Sequence, residues 1–260
     1  MQDVTSAHPY WPKALTSLGD ILQYDRDGLD PDIAQRVQKL VDHLNPDDIA
    51  SKVRFIVTEM PWDYPVDEKL DFEERGKRQL EAVRDLANEL LTDTQRLISF
   101  FPDLSTGSQR MTVEFGRALA LGSHQPLELK QPIIDGLLAV PSGQRNYGLL
   151  SGYVWGLATV APKEFVHLKE EFAVSAELAP AFAFASWNAQ LSARDVELMC
   201  ESLRLSVMPD FALRSWVGGG RLAKLAPDVV APLFDRLFAG PEPLYEIGLE
   251  LFGMYVFEQR

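Results

Sequence analysis

Leu149-Leu150-Ser151-Gly152-Tyr153-Val154-Trp155-Gly156-Leu157 decides how this chain folds. The run carries no charge and no period-2 alternation, so it is a helix with neighbours on both sides, not a strand. Gly152 sits in its middle, where glycine costs about 1 kcal/mol of helix propensity. Such a cost is tolerated where a neighbouring backbone or a large side chain must come close. The same phase carries a small residue four more times, at Gly116, Ser186, Ser215 and Gly248, with successive intervals of 36, 34, 29 and 33 along the chain. Apolar first helices are expected near 109–121, 145–160, 179–190, 209–217 and 242–258. Amphipathic second helices are expected near 127–139, 163–176, 193–206 and 226–239. A period of this size predicts an all-α fold, a HEAT-like α-solenoid of antiparallel helix pairs.

Punctuation along the chain agrees. Pro126, Pro141, Pro162, Pro180, Pro209, Pro227 and Gly240-Pro241 fall at the joints, as short connections between antiparallel helices require. Trp155, Trp187 and Trp216 follow the shared small position by one to three residues, which predicts packing into the neighbouring repeat. Upstream, Pro12 opens a helix that ends near Asp25. Asp30-Pro31 caps and starts a second, and Asn45-Pro46-Asp47-Asp48 starts a third through Ile49, Val53, Ile56 and Val57. Met60-Pro61-Trp62-Asp63-Tyr64-Pro65 is a loop, bracketed by prolines. A long helix then runs from about Val66 to Leu91, and a short one follows Thr92-Asp93. The expected organisation is an acidic N-terminal helical part, 1–105, followed by HEAT-like repeats over 106–260, the two running on as one continuous solenoid in the simplest arrangement.

The chain of 260 residues has a net charge of -13. Residues 1–105 hold 12 Lys/Arg against 21 Asp/Glu, and 106–260 hold 13 against 17. A net-negative surface repels phosphate backbones, so direct nucleic-acid binding is not expected. The single cysteine, Cys200, makes an internal disulfide impossible and fits the role of a small buried hydrophobe. Residues 1–20 lack a basic start followed by an apolar core, and the expected compartment is the reducing cytoplasm. The uncharged runs Tyr147–Ala161 and Leu178–Ala193 span 15 and 16 residues, short of the roughly 20 that cross a bilayer, so no membrane is expected.

Catalytic patterns are sparse, and no catalytic, cofactor-binding or metal-binding residue is assigned. The histidines are His8, His43, His124 and His167. Glu164-Phe-Val-His167 has the spacing of a di-iron half-site but lacks the second Glu-x-x-His such a site needs. Gly148-Leu-Leu-Ser151-Gly152 is not a nucleophile elbow, since it lies inside a helix and breaks the Gly-x-Ser-x-Gly order. Gly218-Gly219-Gly220-Arg221 lacks the lysine and preceding strand of a phosphate loop and reads as a helix-ending turn. Interaction candidates remain. Trp62 and Tyr64 are aromatic anchors on an acidic loop. Arg110 and Arg145, each at the start of a first helix, are candidates to line one edge with Arg214 and meet an anionic partner. The last helix is apolar almost all round and includes Tyr255 and Phe257, although the terminal repeats of solenoids normally turn a polar face outward.

Phe115-Gly116-Arg117-Ala118-Leu119-Ala120-Leu121-Gly122 and Arg145-Asn146-Tyr147-Gly148-Leu149-Leu150-Ser151-Gly152 resemble the helical-repeat region of large multidomain bacterial ATP-binding proteins, some of them linked to antiviral defence. The resemblance covers about residues 40–258 and rests on packing motifs. It implies sensing or scaffolding beside an NTPase core. This chain has no Walker motif, so ATPase activity does not carry over. The expected function is a non-enzymatic protein-interaction module: a scaffold, sensor region or subunit of a bacterial complex with a protein partner. The alternatives are an acidic inhibitor, such as an immunity protein or nucleic-acid mimic, and an enzyme with an unfamiliar site.

Overall fold

The structure is a computed structural model, and it describes residues 11–25, 28–45, 48–60 and 71–258. Within them the fold is all-α, with no named strand and one isolated bridge, Thr106 to Arg145. The helices are α1 (Trp11–Tyr24), α2 (Pro31–Leu44), α3 (Ile49–Val53, continued as a π-helical turn over Arg54–Thr58), α4 (Phe72–Leu91), α5 (Thr94–Ser99), α6 (Phe101–Leu104), α7 (Thr112–Gly122), α8 (Lys130–Ala139), α9 (Gly148–Val160), α10 (Pro162–Ala173), α11 (Ala179–Asn188), α12 (Ala193–Arg204), α13 (Asp210–Leu213), α14 (Pro227–Phe238) and α15 (Glu242–Glu258). The loop at Trp62 and Tyr64 and the expected start of the long helix near Val66 lie outside the described residues.

Local chemistry starts these helices, and it starts α4 at Phe72, behind the Asp71 cap, rather than near Val66 as the sequence suggests. Asp30, Asp48, Asp71 and Asp93 each accept a hydrogen bond from a backbone N–H in the first turn of α2, α3, α4 and α5, at 2.8–3.1 Å. A cap of this kind contributes about 1 kcal/mol. Ser192 and Asp195 form a reciprocal capping box at α12, which satisfies two donors that would otherwise be orphaned. Pro31, Pro162 and Pro227 occupy first helical positions, where a missing N–H costs nothing.

Contacts run through the helices in two rows, the first continuous from α4 to α15 and the second broken between α8 and α10. In the first, α4 packs on α7, α7 on α9, α9 on α11, α11 on α13, and α13 on α15. In the second, α6 packs on α8, α10 on α12, and α12 on α14. Contacts of α8 and α10 with α9, of α10 and α12 with α11, and of α14 with α15 join the rows. One hydrophobic core runs from Ile49 to Tyr255, and a smaller cluster of Trp11, Leu15, Leu44 and Phe55 sits under α1 and α2. Trp11 Nε1 donates to the Leu44 carbonyl at 2.7 Å and so closes the C-terminal end of α2 onto α1.

The closest approach is between α7 and α9. A Cβ on Gly152 would lie 1.9 Å from the Val113 carbonyl oxygen, and one on Gly116 would lie 2.1 Å from that of Leu149. Gly156 repeats the contact against Ala120 Cβ at 2.6 Å. Here the small residues admit backbone against backbone. Ser186 on α11 is fully buried, and Gly248 on α15 approaches Leu237 and Phe238 of α14. That contact is with the partner helix of its own hairpin, not with the preceding first helix. Ser215 is half-buried and bonds the Ala212 carbonyl. Its segment departs from the expected helix over 209–217: α13 is a single turn, and Arg214–Val217 is 3₁₀. Pro209 and the triple glycine at 218–220, whose Gly219 and Gly220 have φ of 78° and 57°, leave room for only about two turns. Short helices tighten to 3₁₀ at their ends.

Each tryptophan of the first row reaches a neighbour. Arg117 of α7 stacks 4.0 Å over Trp155. Trp187 Nε1 donates to the Gly218 carbonyl at 3.2 Å, under the Arg221 guanidinium. Trp216 Nε1 donates to the Ala183 carbonyl at 3.0 Å.

Candidate functional site

The loops that precede α7 and α9 are laced together. Gly107 N–H donates to the Gln144 carbonyl, and Asn146 N–H donates to that of Ser105 at 2.8 Å. The Asn146 amide nitrogen reaches the Gly107 carbonyl at 2.8 Å, while its oxygen accepts from Gly148 N–H at 2.7 Å, capping α9. Beside this lacing the first row is open. A groove of about 380 Å³ crosses α7, α9, α11 and α13, lined by Val113, Arg145, Asn146, Tyr147, Gly148, Ser151, Phe184, Trp187, Asn188 and Phe211. Phe211 is 55% exposed and leans over the groove, with its ring 6.3 Å from those of both Tyr147 and Phe184. Four aromatics, Tyr147 just ahead of α9, Phe184 and Trp187 on α11 and Phe211 on α13, therefore line one groove. Burial pushes the Tyr147 phenol above its ordinary pKa, with Arg145 pulling less strongly the other way.

The candidate cations are held by their own neighbours. Arg145 forms an ion pair with Glu177, and its Nε donates to the Val140 carbonyl at 2.9 Å, tying α9 to the end of α8. Its side chain is only 9% exposed. Arg110 donates to the Met60 carbonyl. Arg214 pairs with Glu250 at 2.5 Å and Glu246 at 4.0 Å on α15. Each arginine joins one element to a neighbouring one, and of the three only Arg145 reaches the groove. Tyr255 lies in the core, its hydroxyl donating to the Leu225 carbonyl at 3.1 Å. Phe257 is 68% exposed. Trp62 and Tyr64 lie outside the described residues.

A buried polar network escaped the sequence reading. Asp195, with no exposed surface, accepts from Lys169 Nζ at 2.5 Å and Ser186 Oγ at 3.1 Å on one oxygen. Its other oxygen accepts from Ser192 N–H at 2.9 Å and Ser192 Oγ at 2.6 Å. Lys169 also sits 4.4 Å from the centre of the Phe165 ring. Both oxygens of the carboxylate are engaged, so the network ties α10, α11 and α12 together. The pattern Ser192-x-x-Asp195 was a legible capping signal, but nothing in spacing pointed to Lys169.

His43, His124 and His167 are exposed, His8 is outside the described residues, and Glu164 pairs with Lys130 at 3.3 Å. Among the described residues no set of three His, Cys, Asp or Glu side chains gathers to hold a metal ion. Cys200 is half-buried, and burial pushes its thiol pKa up, away from the reactive thiolate. No described helix is long and apolar enough to cross a membrane. Comparison with protein-family models, with characterised proteins and with solved structures finds no match.

Proposed function

We propose that the two rows of helices form an α-solenoid of the HEAT type and that the chain is a non-enzymatic protein-interaction module. In this reading it is a scaffold or sensing subunit of a bacterial complex, as the resemblance of its repeats implies. The observation that carries the proposal is the aromatic groove over the first row. Tyr147, Phe184, Trp187 and Phe211 offer rigid apolar area at low entropic cost, the composition of an interface anchor pocket. The groove follows the row of helices, as the extended binding surfaces of solenoids do. Its occupant is a peptide segment of a partner that inserts one or two large apolar side chains.

Affinity purification from the native host, wild type beside Phe211→Asp, tests this. Phe211 is largely exposed, so the substitution spares the core. Partners held by wild type and lost by the variant are the expected result. Recovery of no partner, or of the same partners with both proteins, defeats the proposal.

A further inference from the structure

A cavity of about 310 Å³ lies between α4 and α7 and shares no lining residue with the aromatic groove. Leu80, Arg84 and Asn88 reach it from one face of α4, at intervals of four. Glu114, Arg117 and Leu121 reach it from α7, at intervals of three and four. Its polar side chains are unmatched. Among the described residues, neither guanidinium, nor the Asn88 amide, nor the Glu114 carboxyl forms a hydrogen bond or an ion pair. By contrast, Arg145, Arg194, Arg204 and Arg214 pair with glutamates, and Arg221 donates to the Ala189 carbonyl.

Arg117 is held in place without being satisfied. Its guanidinium lies 4.0 Å over the Trp155 ring, and its Nε is buried with no acceptor. Stacking fixes the plane of a guanidinium but meets none of its N–H groups. Gly122 leaves Asn88 its position, since a Cβ there would lie 2.6 Å from the Asn88 Oδ1. Burial raises the Glu114 carboxyl pKa, with Arg117 pulling less strongly the other way, so the cavity disfavours negative charge on that side chain. Two cations and an amide therefore face an apolar wall of Leu80 and Leu121. An anion answers the cations, and a hydrocarbon body answers the wall. Net charge narrows the choice. A chain at -13 repels a ligand in proportion to the ligand's own charge, which favours a monoanion over phosphates and polyanions. A carboxylate also matches the planar fork of a guanidinium, two N–H groups to two oxygens.

We propose that the cavity between α4 and α7 binds a small organic monocarboxylate, its carboxylate held by Arg84, Arg117 and Asn88 and its hydrocarbon body laid against Leu80 and Leu121. The bound acid bridges the first two helices of the first row. This site stands independently of the aromatic groove.

The test titrates hexanoate, octanoate and phenylacetate into the full chain and follows the backbone amide resonances of α4 and α7 by two-dimensional NMR. Acetate lacks the hydrocarbon body, hexanamide lacks the charge, and inorganic phosphate lacks both body and carboxylate; these are the comparisons. At least one of the three acids is expected to bind roughly tenfold tighter than every comparison. Arg84→Gln should weaken that acid about tenfold or more. Arg84 is exposed, so the fold should survive, and circular dichroism checks it. Leu80→Gln should weaken the acid while leaving acetate unchanged. Arg96→Gln, an exposed site on α5, should change nothing. No shift in α4 and α7 with any of the three acids up to about 20 mM overturns the proposal. Equal binding of hexanamide or phosphate, or indifference to Arg84→Gln, overturns it too. So does tighter binding of an acetylated tripeptide ending in leucine, since the C-terminus of a partner protein would then be the ligand.

Discussion

Gly152→Ala adds one methyl group where the structure has no room for it. The new Cβ would lie 1.9 Å from the Val113 oxygen, 2.6 Å from its carbonyl carbon and 2.8 Å from its Cα. All three atoms are backbone, so no rotamer change relieves the clash. Relief requires α7 and α9 to part by at least about 1 Å, which also loosens the matching contacts at Gly116 and Gly156. Overpacking of this kind costs about 1–3 kcal/mol or more, and the gain in helix propensity returns only about 1 kcal/mol. At the upper end of that range, set by the backbone-to-backbone clash, a net loss of about 2 kcal/mol is expected, equivalent to a Tm lower by about 4–8 °C for a chain of this size. Gly253→Ala is the internal control. Gly253 lies inside α15, exposed, with nothing within 4 Å of its added Cβ, so it should gain up to about 1 kcal/mol. Thermal and urea unfolding followed by far-UV circular dichroism read both variants. If Gly152→Ala melts with or above wild type, the close crossing of α7 and α9 is not what the glycines are for.

Two further outcomes follow from buried charge. Asp195→Asn keeps an acceptor for the Ser192 cap but strands the Lys169 ammonium, whose side chain is 7% exposed; urea unfolding should show a loss of about 3–5 kcal/mol. Adding Lys169→Met should restore most of it, and a double variant as unstable as the single one would show that the pair's charges are not the cause. Glu114 lies beside the cavity between α4 and α7, and burial raises its carboxyl pKa, with Arg117 pulling less strongly the other way. Between the unfolded and the raised folded value the native state binds more protons than the unfolded state, so stability falls as pH climbs through that window. Glu114→Gln should therefore melt above wild type at pH 7, with the gap closing as pH drops below the ordinary carboxylate value. A gap that widens on acidification would reverse the sign and refute the assignment.

What was legible in the sequence is what a single element decides for itself. Asp30, Asp48 and Asp93 announced their helices because a cap is made within four residues, and the glycines at 116 and 152 announced a close crossing because no cheaper reason exists for them inside an apolar helix. The 3₁₀ end of the helix at Asp210 was not legible. Whether a two-turn segment between proline and glycine keeps α geometry depends on what holds it, here Trp216 on Ala183 and Arg214 on α15.

The groove was illegible for a different reason. Tyr147, Phe184 and Phe211 stand 37 and 27 positions apart, so they share no register with the small residues, and no periodic search collects them. They converge because first-row neighbours run side by side, which places the ring of Phe211 on α13 within reach of those of Tyr147 and Phe184. Structural repetition needs each helix to meet its neighbour in the same way, and it leaves a mark at every period. A binding surface needs only one place where the repetition is broken, and a break of that kind has no period to read. Phe211, exposed yet touching two rings from two other helices, is such a break. That is why its substitution by aspartate should separate partner binding from folding, which a core aromatic such as Phe182 cannot do.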